Sequence, residues 1–283
     1  MTFDMANRTS PGLVDPDAPG ARLAFVLDAE RAPTAGEVHT HRRAQLVHAA
    51  RGVLVVTTPA GKWVVPPERA VWIPSRTPHA VASRRSFHLR TLYVEPRAAP
   101  LVDPGRARVV AVDRLVAELL AVAAGFGPRY PRGGPEERLV RVVLDRLPAL
   151  AVAPLHVPTP RLPAIVAIAR ALEADPADRR TLADFGRALG ATERTLARGF
   201  ASDLGTTFRA FRAQVRLLAA LERLGAGHGV TRTAFEVGYA DVSSFIEAFK
   251  AATGTTPARY FDGAAIRASA ASAVGGATPS SSA

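Results

Sequence analysis

Between residues 22 and 95 the apolar positions fall in short runs, at 24–27, 45–48, 53–57, 63–65, 71–74 and 87–94. Gly36, Gly52, the Pro59-Ala60-Gly61 triplet, Pro66-Pro67 and Pro78 separate them. Short β-rich runs punctuated by turn formers predict an antiparallel sandwich or barrel. Beyond residue 108 the period lengthens. Val112, Leu115, Val116, Leu119 and Leu120 make one helical face, and Leu139, Val142, Val143 and Leu147 make a second after a Gly/Pro-rich break. Residues 154–163 carry four prolines and read as a stiff linker; from there to Tyr260 the pattern is helical.

The expected organisation is therefore α+β in two domains. A flexible arm (1–20) precedes a barrel (21–97) and a helical linker or dimerisation region (98–153). The proline-rich linker (154–163) leads to an all-α domain (164–262), and an Ala/Ser/Gly tail (263–283) reads as disordered.

Composition narrows the function classes. The 283 residues include no cysteine, which excludes disulfides, thiolate metal sites and a cysteine nucleophile. No run approaches the ~20 apolar residues of a membrane span, and the first twenty residues lack a signal-peptide core, so a cytoplasmic protein without membrane contact is expected. The net charge of +11 is compatible with nucleic acid. Its distribution does not favour the helical half, where residues 160–263 hold 14 Arg/Lys against 11 Asp/Glu. Motifs must decide.

The helical half contains an internal repeat. Gly190 is followed by Leu196, Phe200 and Gly205, and Gly238 by Phe245, Phe249 and Gly254. Each copy reads as a short helix, a glycine turn and a second helix whose i, i+4 apolar pair packs on the first, with Thr192 and Asp241 as N-caps. Between the copies a helix over 206–224 carries Phe208, Phe211, Val215 and Leu218 on one side and Leu217, Leu221 and Leu224 on another. Its arginines at 209, 212, 216 and 223 share a remaining face. A rigid helix joining two helix-turn-helix units would present two reading helices to successive major grooves, about 34 Å apart.

Leu182-Ala-Asp-Phe-Gly-Arg-Ala-Leu-Gly190 with Thr192-Glu-Arg-Thr-Leu-Ala-Arg-Gly-Phe200 resembles the first unit of AraC/XylS-type transcription regulators. Gly238-Tyr-Ala-Asp-Val-Ser-Ser-Phe-Ile-Glu-Ala-Phe-Lys250, with Gly254-Thr-Thr-Pro257 and Tyr260, resembles that family's second-unit signature. The resemblance implies double-stranded DNA as partner, read at base edges by Arg194, Ala197 and Arg198 in the first unit and by Val242, Ser243, Ile246 and Glu247 in the second. Thr192, Arg209, Arg212, Arg232 and Lys250 would contact phosphate. Two departures stand out: Gly199 lies in mid-helix where the family often has a longer residue, and Glu247 stands where some members have arginine. A carboxylate there repels phosphate, so the first unit is expected to carry more of the affinity.

In the N-terminal half, His39-x-His41-x3-Gln45 follows Gly36, and Pro74-x4-His79 comes some thirty residues later. The arrangement resembles the two motifs of cupin barrels, common as the sensor half of AraC-type regulators, which implies a jelly-roll barrel and an inward-facing ligand set. His39, His41, Gln45 and His79 are thus the candidate effector or metal residues, with a divalent transition metal as candidate cofactor. Gln45 replaces the usual glutamate and Arg76 the usual glycine, so a polar pocket without metal is the competing reading. The surplus arginines Arg42, Arg43, Arg84, Arg85 and Arg90 fit a basic surface or an anionic effector. The expected protein is a DNA-binding regulator controlled by a small-molecule effector, homodimeric, and engaging RNA polymerase if it activates. The alternatives are a metal-dependent cupin enzyme fused to DNA-binding helices and a barrel that only dimerises.

Overall fold

The computed structural model describes residues 15–67, 69–98, 106–150, 152–153 and 156–261. The outer part of the expected arm (1–14) and the expected tail lie outside the described residues.

Among the described residues ten strands form two antiparallel sheets: β1 (Ala24–Arg31), β2 (Ala44–Arg51), β3 (Leu54–Thr58), β4 (Gly61–Val65), β5 (Arg69–Ile73), β6 (Ala80–Ala82), β7 (Phe87–Val94), β8 (Arg108–Ala111), β9 (Val152–Ala153) and β10 (His156–Pro158). One sheet runs β1-β7-β2-β5-β8-β9 and the other β10-β4-β3-β6. The centre of the six-stranded sheet is buried on both faces. Along β2 and β5, Val47, Ala49, Val71 and Ile73 face the sandwich interior, while Ala44, Leu46, Ala70 and Trp72 belong to a separate apolar layer beneath two helices. Two-sided burial explains why these strands read as unbroken apolar runs and not as strict alternation.

Those helices are α1 (Arg114–Ala124) and α2 (Pro135–Arg146). They bury Val116, Leu120 and Ala123, and Val140 and Val143, against the sheet. The expected faces are thus rotated: Leu115 and Val142 are about half exposed, and Val140 takes a place the periodicity had not given it. A narrow i, i+4, i+7 stripe suffices where the surface beneath is flat and apolar.

The barrel also extends past residue 97. β8 pairs with β5, β9 with β8, and β10 with β4. Part of the proline-rich linker is therefore an edge strand. Proline lacks only a donor, which an outer strand can spare, so Pro158 pairs opposite Gly61 without loss of a ladder bond on its free side.

The helical half comprises α3 (Pro163–Ala174), α4 (Leu182–Leu189), α5 (Glu193–Leu204), α6 (Phe208–Gly225), α7 (Val230–Glu236) and α8 (Val242–Thr253). Its core continues into the barrel's apolar interior cluster. α6 lies against the β10–β4 edge, where Glu222 pairs with Lys62 at 3.1 Å and Arg84 at 3.8 Å. Gly225 sits so close to Val53 that any Cβ there would overlap it.

Candidate effector pocket and nucleic-acid interface

Each helix-turn-helix pair is built by the same local rules. Thr181 and Asp184 form a reciprocal capping box at the start of α4, and Gly190 ends it in the left-handed region at φ 66°. Thr192 Oγ1 then accepts from Thr195 N at 3.1 Å to start α5. In the second unit Gly238 turns the chain at φ 89°, and Asp241 Oδ1 accepts from Ser244 N at 2.8 Å to start α8. Gly238 is needed twice, for its positive φ and because a Cβ would press on the Ala177 backbone and the Arg216 guanidinium.

The apolar pairs Leu196/Phe200 and Phe245/Phe249 are buried, as the repeat predicts. This leaves Arg194, Ala197 and Arg198 exposed on α5, and Ser243 and Glu247 exposed on α8. Val242 and Ile246 are half-buried and pack on the helical core. Gly199 faces α3, where a Cβ would lie 3.1 Å from Ile165 Cδ1. The mid-helix glycine is thus the contact through which α3 approaches α5.

The arginines of α6 do not form one free face. Only Arg209 among them is exposed. Arg212, expected on phosphate, lies over the Phe208 ring and donates to the Arg180 carbonyl. Arg216 Nε donates to the Pro176 carbonyl at 3.0 Å, and Arg223 pairs with Glu236 at 3.2 Å. These side chains brace the loop before α4 and the second unit. Periodicity places them on one face but cannot show which other elements cover it. Arg232 is exposed but paired with Glu236 at 2.6 Å, and Lys250 is exposed.

In the barrel the structure brings all four candidate residues together. His39 and His79 form an isolated antiparallel bridge, each backbone N–H donating to the other's carbonyl at 2.9 Å. Their rings are 4.3 Å apart, and His41 is 5.0 Å from His79. Gln45 Oε1 lies 3.2 Å from His41 Nε2, while its amide donates to Thr91 Oγ1 at 2.9 Å and to the Tyr93 hydroxyl at 3.2 Å. Thr91 and Tyr93 were not singled out in the sequence. Their signal was the period-two alternation of β7, which turns both toward Gln45, the register partner of Tyr93. Arg76 holds φ 58°, the only positive φ at a non-glycine among the described residues, and its N–H donates to the His41 carbonyl at 3.0 Å. The backbone keeps the conformation for which the cupin pattern uses glycine.

Burial disfavours charge on the His41 and His79 imidazoles. It lowers His41, and it pushes His79 down to about 3 despite the Thr77 carbonyl. On β2, His48 falls to about 4 for the same reason, although its Nε2 donates to the Pro67 carbonyl at 2.7 Å. Because the folded values lie below the ordinary 6.5, the stabilisation is complete above pH 6.5 and is lost as pH falls toward 4. Acidification from about pH 6.5 to about pH 5.5 should therefore remove about 1 kcal/mol for each of His48 and His79. Urea midpoints measured in chelating buffer across that range test this, and a flat profile would contradict it.

The comparisons with known proteins agree with this layout. Residues 24–122 match the AraC-like ligand binding domain family and residues 185–263 a helix-turn-helix domain family. The HTH-type transcriptional regulator NimR of Escherichia coli (strain K12) is 31% identical over 240 residues, covering 85% of this chain and 87% of that protein. The chain belongs to the AraC-type transcriptional regulators. The HTH-type transcriptional regulator RipA of Corynebacterium glutamicum is 37% identical over 111 residues, 38% of this chain and 34% of that protein. The solved structure of ToxT from Vibrio cholerae aligns over 84% of this chain and 98% of its own at TM-score 0.36 and 11% identity. This AraC-type regulator is thus a DNA-binding transcription regulator with an N-terminal ligand-binding domain, α+β in two parts. No helix among its described residues is long and apolar enough to cross a membrane.

Proposed function

We propose that this regulator reads DNA chiefly through its first unit, with Arg194 and Arg198 of α5 at base edges and Ser243 and Glu247 of α8 making the second, weaker contact. The observation that carries this reading is the pair of side-chain-capped helices whose outward positions stay exposed while their inward phenylalanines are buried. Ala197 joins the first set. Val242 and Ile246, being half-buried, contribute by apolar contact at the rim. Phosphate positioning falls to Arg209, Lys250 and the Thr192 helix start, with Arg232 held by Glu236, and Arg212 has a bracing role. We take the barrel as the sensor of a small molecule and not as an enzyme, since the matched family is a ligand-binding one and the full-length relative is named a regulator. The working form is a cytoplasmic homodimer that meets RNA polymerase where it activates.

Selection of genomic DNA fragments by the purified protein should recover sites whose fixed bases recur about one helical turn apart. Salt-sensitive binding without sequence preference would overturn the reading. Arg198→Ala should lose about 1–3 kcal/mol on the best site and relax the choice at one base pair. Arg209→Ala should instead weaken all sequences alike and lower the salt slope by about one. Equal behaviour of the two variants would misplace the reading helix.

A further inference from the structure

We propose that the proline-rich segment is a taut strap by which the barrel sets the position of α5, with Asp203 as the positioning residue that fastens it, an inference that rests on α5 reading base edges. At its barrel end the segment is held by the sheet. His156 and Val157 of β10 pair with Trp63 and Lys62 of β4, and the Thr159 N–H donates to the Ala60 carbonyl at 3.2 Å. The His156 ring stacks on Trp63 at 5.9 Å, and Val157 and Trp63 are both buried in the barrel's interior cluster. Gly61 allows this close approach, since a Cβ there would overlap the Val157 carbonyl.

At its other end the segment is held by α5. One Asp203 oxygen, Oδ2, accepts from Arg161 N at 2.8 Å and from Leu162 N at 2.9 Å. Only Pro160 stands between Thr159, bonded to the barrel, and Arg161, bonded to α5. Two residues reach at most about 7 Å. Pro160 fixes its own φ, and Thr159 and Leu162, each preceding a proline, are kept from the helical region; Leu162 has φ −68° and ψ 127°. Such a connection has no slack.

The placement of Asp203 fits this role. It lies in the last turn of α5, where a negative charge opposes the dipole of its own helix. The compensation comes from the start of α3, whose cap residue Leu162 supplies no side-chain hydrogen bond and where a carboxylate is favoured. Gly199, one turn before Asp203 on the same face, admits Leu162 and Ile165. Arg194 and Arg198 leave α5 on its exposed side, so the strap grips the back of the reading helix. Lys62 and Arg84 also hold Glu222, but that contact lies about three turns along α6 from Phe211, the ring partner of Phe200 in α5. The strap is the shorter path from barrel to reader.

The test is amide hydrogen exchange of the full-length protein, read by mass spectrometry on peptides covering residues 193–204, together with affinity for the best duplex from the genomic selection. Asp203→Ala should speed exchange in α5 and weaken that duplex, each about tenfold, by removing two hydrogen bonds to a charged group. A Gly-Ser-Gly-Ser insertion between Pro160 and Arg161 leaves the Asp203 bonds in place and adds only slack, and it should do the same. The two changes combined should still give about tenfold and not about a hundredfold, because either one alone disconnects the strap. Asp203→Asn keeps an acceptor oxygen and should stay within about threefold of wild type. Exchange in α8 should be unaltered throughout. Faster exchange in Asp203→Ala but not in the insertion variant would make Asp203 a local cap and overturn the strap, as would wild-type rates in both. A wild type that selects no DNA site would overturn α5 as a reader, while the exchange rates would still decide the strap.

Discussion

Glu95→Ala should destabilise the barrel by about 3–5 kcal/mol, because it strands a buried arginine. Arg43 is almost wholly buried, with its guanidinium over the Phe25 ring at 5.1 Å. Glu95 holds it at 2.8 Å and also takes a two-bonded fork from the half-exposed Arg42, both bonds 2.8 Å. The remaining Arg43 partners are the carbonyls of Arg22 and Leu23, at 2.8 and 3.2 Å, which accept hydrogen bonds but carry no charge. Burial already lowers the Arg43 guanidinium from its ordinary value, and Glu95 is the chief opposing influence. Arg42→Ala, which removes a solvent-screened partner, should cost under about 1 kcal/mol. Arg43→Met combined with Glu95→Ala should recover much of the loss, since no buried charge is then left alone. Urea unfolding of the four proteins checks this. A Glu95→Ala loss no larger than that of Arg42→Ala would mean that solvent reaches Arg43.

What the sequence disclosed followed the range of the interaction involved. Local rules were legible. Thr192 and Asp241 cap α5 and α8, the glycine turns take positive φ, and Phe200, Phe245 and Phe249 are core. The clustered barrel residues were legible as a set because one motif carries His39, His41 and Gln45 and a second supplies His79, although His39 sits in an isolated bridge and His41 precedes β2 and lies outside any strand. What escaped depended on distant partners. The three-residue β6 carries no pattern of its own. Pro158 of β10 and the prolines that follow it point to a linker until β4 is there to pair with the strand. The α6 arginines look like a solvated stripe, yet Arg212 and Arg216 are taken up by the 176–180 loop, which no periodicity relates to them. Gly199 departs from the family pattern in mid-helix, and only the approach of Ile165 shows why a small residue fits there. The basic excess of the N-terminal half is partly internal as well, with Arg43 buried and Arg90 bound to Asp28 at 2.9 Å.

Phe200→Ala should remove about 3–5 kcal/mol from the helical half and abolish specific DNA binding, although the residue touches no base. Phe200 is completely buried on the inner face of α5, its ring 5.5 Å from both Phe208 and Phe211 of α6. Phe185 of α4 meets the same Phe208 ring at 5.9 Å, so one aromatic cluster joins both helices of the first unit to α6. Truncation to alanine empties the centre of that cluster, and the lost transfer free energy adds to the cavity term. Because Arg194 and Arg198 are positioned only by α5, a loose α5 costs the site its geometry before it costs the chain its fold. Phe200→Leu fills most of the space and should lose only about 1–2 kcal/mol while keeping the preferred sequence. Arg198→Ala supplies the opposite signature, a change in base choice with unfolding unaltered. Denaturant titration and DNA affinity measured on the same three variants separate support from contact. If Phe200→Ala lowered stability as expected yet kept both affinity and base preference, reading would have to reside in α8, and the order of importance assigned to the two units would reverse.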